Sequence, residues 1–131
     1  MRILRSVAAI AVGLGFMAAT VTVGTLAAST LIGGGPTPMA AYLSVNLAIC
    51  GLGAILGGWL AARIASFAPY GHAAVMAAIV AVLSITTATG AAAPAYPGWY
   101  PSVLSLVAVL GVLLGGKLRA AAASGAGPVV A

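Results

Sequence analysis

Residues 42–60 read YLSVNLAICGLGAILGGWL, and residues 100–118 read YPSVLSLVAVLGVLLGGKL, the same pattern 58 positions later (100 − 42 = 58). Tyr42 pairs with Tyr100, Ser44 with Ser102, Val45 with Val103, Leu52 with Leu110 and Gly53 with Gly111. Leu56 and Leu114, Gly57 and Gly115, Gly58 and Gly116, and Leu60 and Leu118 complete nine identities in nineteen positions. A Gly/Ala/Leu-rich composition alone gives far fewer. Each copy is as long as a membrane-crossing helix, which needs about 20 mainly apolar residues. The repeat therefore predicts one helical hairpin used twice.

Composition fits that reading. Of 131 residues 63% are hydrophobic and 4% charged, with five Lys+Arg, one His and no Asp or Glu. A soluble domain carries about a quarter charged residues, so this chain has too few to cover a water-facing surface. It is a single domain by length, and its apolar surface must meet lipid. Five cations scattered at segment ends do not make a nucleic-acid footprint. They serve instead as topology signals.

Four apolar stretches qualify as spans, at about 6–32, 39–65, 71–92 and 99–119, with residues 120–131 expected as a flexible cytoplasmic tail. The breaks between them are Gly33-Gly34-Gly35-Pro36-Thr37-Pro38, Pro69-Tyr70-Gly71 and Pro94-Ala95-Tyr96-Pro97-Gly98. Glycine loosens the backbone there and proline removes a donor. The expected fold is all-α: four transmembrane helices in a compact bundle, as two hairpins related by a tandem, parallel duplication. Arg2, Arg5, Arg63, Lys117 and Arg119 all fall on one side of such a layout, which the positive-inside rule makes cytoplasmic together with both termini. Tyr42, Tyr96, Trp99 and Tyr100 are expected at the outer interface, and Trp59, Phe67 and Tyr70 at the inner one. Arg2 and Arg5 ahead of an apolar run resemble a signal peptide. The run of about 26 residues exceeds the 7–15 of a signal h-region, however, so an uncleaved first span is expected.

Two sets of residues stand out as functional candidates. The pairs Gly53/Gly57 and Gly111/Gly115, each extended by Gly58 or Gly116, lie one helical turn apart and let helix backbones approach closely. They suit packing of spans two and four against each other, or an interface with another chain. The second set lies in the outer halves of the spans: Thr22, Thr25, Ser44, Asn46, Thr86, Ser102 and Ser105. These either line a polar vestibule or, more economically, bond back to helix carbonyls. Asn46 is expected to join helices, because an amide needs partners in lipid. His72 is expected as an interfacial anchor, and Cys50 as a packing residue.

Absences narrow the chemistry further. A chain without Asp or Glu forms no carboxylate proton relay, carboxylate general base or acidic cation site. One Cys and one His cannot complete a tetrahedral zinc site. Paired glycines lie inside spans rather than after a strand, so no nucleotide loop is indicated. No catalytic residue, cofactor or metal is expected, and the partners are the lipid bilayer and either a second copy or a larger membrane protein. The size and layout resemble the small multidrug-resistance transporters. Those depend on a carboxylate in the first helix, which is absent here. The pattern Gly57-Gly58-Trp59-Leu60-Ala61-Ala62-Arg63, with His72-Ala73, Pro97-Gly98-Trp99-Tyr100 and Gly115-Gly116-x-Leu118, resembles small uncharacterised four-helix membrane proteins of bacteria. That resemblance implies the fold and a bacterial inner (plasma) membrane location, and no activity. The expected function is a structural or accessory membrane protein; the other reading is a small homo-oligomeric transporter or channel for a neutral solute.

Overall fold

A computed structural model of the chain describes residues 2–33, 40–65, 67–88 and 96–125, with side chains from Ile3 and without those of residues 33 and 86–88. The regular structure within them is entirely helical: α1 (Arg2–Ala28), α2 (Ala40–Ala65), α3 (Pro69–Ala88) and α4 (Tyr100–Gly125). A π-helical turn, Ser29–Gly33, extends α1. There the Ser29 and Thr30 hydroxyls donate to the carbonyls of Leu26 (2.8 Å) and Ala27 (2.9 Å), so side chains compete for the helix's own acceptors at its end. Three helices, α1, α2 and α4, are long and apolar enough to cross a membrane. The described apolar part of α3, Pro69–Ile85, is shorter, and the expected outer end of the third span reaches beyond the described residues.

The helix starts follow local chemistry. Pro69 opens α3 and Pro101 stands in the first turn of α4, where a missing N–H leaves no bond unmade. The chain enters α4 through a turn closed by Tyr100 N donating to Pro97 O at 2.9 Å. Ahead of Pro69, Ala68 sits at φ 45°. Proline bars its predecessor from the helical region, and the short link takes the left-handed alternative. That conformation costs an L-residue roughly 1–2 kcal/mol, which glycine avoids at a smaller entropic cost. Ala68→Gly is therefore expected to raise stability by up to about 1 kcal/mol, read as a higher melting temperature in detergent.

The tail expected from residue 120 is helical as far as Gly125. Ala120–Ala123 are the strongest helix formers, and a helix has no reason to stop where its hydrophobic part ends. Residues 126–131 lie outside the described part.

Helix α2 is central. It runs antiparallel to α1, as shown by Arg5 Nε donating to Ile64 O (2.9 Å) at one end and Asn46 Nδ2 donating to Thr25 Oγ1 (2.9 Å) at the other. It runs parallel to α4, with Gly111 facing Gly51 and Ala54, and Gly115 facing Ile55 and Trp59. This places positions about 58 apart at the same depth. Helix α3 packs antiparallel on α4, with Ala73 against Gly116. Met76 of α3, fully buried, reaches α1 and α2 at Gly13 and Gly57. Through these contacts Arg5, Arg63, Lys117 and Arg119 come to one end of the molecule.

Candidate functional site

The six glycines singled out by the sequence all sit at helix contacts inside the chain. A Cβ at Gly57 would lie 2.8 Å from Gly13 O and 3.0 Å from Met17 Cβ, against α1. At Gly58 it would strike the Val112 carbonyl of α4, and at Gly115 the Ile55 carbonyl and, at 2.8 Å, Trp59 N of α2. Gly111 abuts Ala54 (2.8 Å), Gly116 abuts Ala73, and Gly53 makes an ordinary contact with Thr20 and Val21 at 3.4 Å. Equivalent glycines thus have different neighbours: Gly57 faces α1 but Gly115 faces α2, and Gly58 faces α4 but Gly116 faces α3. Close approach of this kind replaces side-chain packing with backbone packing and weak Cα–H···O bonds.

The polar candidates separate into distinct places. Asn46 is buried and spends its amide between helices: Nδ2 on Thr25 of α1, and Oδ1 as acceptor from Tyr100 OH of α4 at 2.8 Å. Tyr42 and Tyr100, equivalent in the repeat, are buried beside Ala28 and Leu43 instead of facing the lipid interface, with Tyr100 only 3% exposed. Trp99 is exposed, and its ring meets Tyr100 edge-on at 5.7 Å. Tyr96, outside the helices, has its phenol pKa raised first by burial and then by its hydrogen bond with Tyr42. Ser44 points outward and donates to Ala40 O, and Ser102 is exposed on a shallower groove between α3 and α4. The Thr86 side chain lies outside the described part.

Thr22 and Ser105 do come together, on a cavity of about 580 Å³. Its walls are Leu14, Met17 and Val21 of α1, Val80 and Leu83 of α3, and Leu104 of α4, with Cys50 of α2 and Ala108 at its back. The cavity exists because α1 and α3 touch at Gly13 and Met76 and then separate, α1 following α2 and α3 following α4. Thr22, Ser84, Tyr96, Tyr100 and Ser105 surround the end away from the cations. Sequence reading passed over this cavity because its walls are ordinary apolar residues at helical spacing; only the divergence of two helices gives them a common face.

The opposite end is tied by His72. A carbonyl only accepts, so His72 Nδ1 carries the proton donated to Ala68 O (3.0 Å), while Nε2 meets Ser6 Oγ (3.0 Å). Phe67 packs edge-on against the imidazole at 5.0 Å, and Arg63 lies over the Trp59 ring at 5.0 Å. Among the described residues, every buried side-chain nitrogen or oxygen has a hydrogen-bond partner. Comparison of the chain with known protein families, characterised proteins and solved structures gave no match.

Proposed function

We propose that this chain is a non-enzymatic protein of the bacterial inner membrane, a structural or accessory subunit built as a tandem duplication of one helical hairpin. The nine identities between residues 42–60 and 100–118, and the equal depth of their counterparts on parallel helices, support the duplication. In this reading all four helices cross as a bundle, with both termini cytoplasmic beside the cations.

The observation that carries the reading is where the polar groups are spent. Asn46, Tyr100 and His72 each bond to other elements of the same chain, as a scaffold requires. The glycine faces act within the subunit, which leaves the outward leucines for lipid or a partner. Leu52, Leu56, Leu110 and Leu114 are all exposed.

Mild extraction of a C-terminally tagged chain from its native membrane, followed by intact-complex mass measurement, tests this. A second protein in fixed stoichiometry is the expected result. A homo-oligomer that passes neutral solutes in liposomes would instead establish the transporter reading, which the shared cavity of Thr22 and Ser105 favours.

A further inference from the structure

We infer that the cation-bearing end of the molecule holds an anionic phospholipid headgroup on Arg5 and Arg63, where α1 and α2 meet. The inference needs only that the helices lie in a membrane. It holds for an accessory subunit and for a transporter alike.

The chain carries five Lys+Arg and no Asp or Glu. No side chain of its own can neutralise a guanidinium, so the counter-ions for these cations come mainly from outside. The fold brings two of the five together. Because α1 and α2 are antiparallel, Arg5 Nε donates to Ile64 O at 2.9 Å, which seats one guanidinium on the residue next to Arg63. Both arginines are exposed. Like charges in adjoining places repel, and an oxyanion shared between them replaces that repulsion with two attractions.

The donors suit a phosphate. A guanidinium offers five N–H groups in a fixed fork that matches phosphate oxygens in pairs. Arg5 spends one donor on Ile64 O and keeps the four on its terminal nitrogens. Arg63 lies over the Trp59 ring, 5.0 Å from its centroid. That contact steadies the group without using an oxygen acceptor. Each fork is thus held in place with donors to spare.

An acidic segment of a partner protein would offer carboxylates to the same forks. The neighbours of the two arginines favour a lipid. Trp59 and the exposed Phe67 and Tyr70 stand at this end with the cations, and amphipathic aromatics belong at headgroup level. Arg63 lies one helical turn beyond Trp59, about 6 Å along the axis. The ring can therefore meet hydrocarbon while the charge stays at phosphate depth. A zwitterionic headgroup would bring its own ammonium to a cationic site, so an anionic one is preferred.

The test uses the full chain, delipidated in mild detergent and offered equimolar phosphatidylglycerol and phosphatidylcholine with identical acyl chains. Native mass spectrometry counts the lipids retained. A cation at an anionic surface is worth about five-fold in affinity, so phosphatidylglycerol is expected to be retained at least about ten-fold over phosphatidylcholine. Arg63→Gln, at an exposed position, is expected to lower that ratio about five-fold at an unchanged melting temperature. Arg5→Gln with Arg63→Gln is expected to abolish the preference. Lys117→Gln with Arg119→Gln removes the same charge from α4 and is expected to leave the ratio within about two-fold of the parent. No preference in the parent, or an equal loss from the α4 pair, would overturn the site. Displacement of the lipid by millimolar inorganic phosphate would assign the site to a free anion, and displacement by equimolar polyglutamate to an acidic protein segment; either would overturn the lipid.

Discussion

Gly115→Leu is expected to unseat α4 from α2 and give a protein that no longer runs as a single species in mild detergent. The first atom of the new side chain would fall on the Ile55 carbonyl and Trp59 N, which are backbone and cannot rotate away. Overpacking in a core costs about 1–3 kcal/mol and occasionally more. Here the only relief is to separate two helices along their whole contact, so the upper end of that range is expected. Gly58→Leu meets the Val112 carbonyl and should behave alike. Gly53→Ala finds its nearest neighbours at 3.4 Å, and Gly15→Ala finds nothing within 4 Å. Both are expected within about 1 kcal/mol of the parent, with Gly15→Ala on the stabilising side because alanine is the better helix former. Thermal melting in nanodiscs ranks the four, and a Gly115→Leu protein that melts with the parent would remove the glycine seam from the account.

Asn46→Leu is the second large effect. It removes the acceptor of Tyr100 OH and the donor to Thr25, and those two losses are unequal. Thr25 can turn its hydroxyl to a carbonyl of its own helix. Tyr100, almost wholly buried, keeps a phenol that has lost its acceptor. An unsatisfied buried group costs about 1–3 kcal/mol, whereas interhelical bonds in membranes average about 0.6 kcal/mol and reach about 1.7. Asn46→Leu is accordingly expected to cost about 2 kcal/mol and Tyr100→Phe about 1, because the latter leaves only the Asn46 Oδ1 acceptor unpaired while the bond to Thr25 survives. In the double variant the phenol no longer needs a partner, so the costs should be less than additive by on the order of 1 kcal/mol. Additive costs would show that the two residues do not act together.

The fold class was legible because it rests on composition. A chain without carboxylates and with 4% charge has nowhere to bury its surface except lipid, and lipid admits helices. The breaks at Pro69 and Pro97-Gly98 were legible for the same local reasons that open α3 and α4. The role of Asn46 between helices followed from the cost of an unpaired amide. Hydropathy marks where α4 leaves the apolar layer, while Ala120–Ala123 carry the helix on to Gly125. The aromatic residues divided in two. Trp99 is exposed as interfacial residues are, while Tyr42 and Tyr100 turn inward, Tyr100 onto the Asn46 acceptor and Tyr42 onto Tyr96.

By itself, then, the sequence determined a membrane-suited helical chain with a repeated glycine-rich helix, since hydrophobicity and repetition are properties of residues in order. Tertiary structure alone decided which glycine meets which helix. Identical residues on α2 and α4 receive different neighbours, because one helix is central and the other carries α3. It also decided that α1 and α3 part beyond Met76 and leave a cavity, a matter of where two helices diverge in space that no linear spacing encodes.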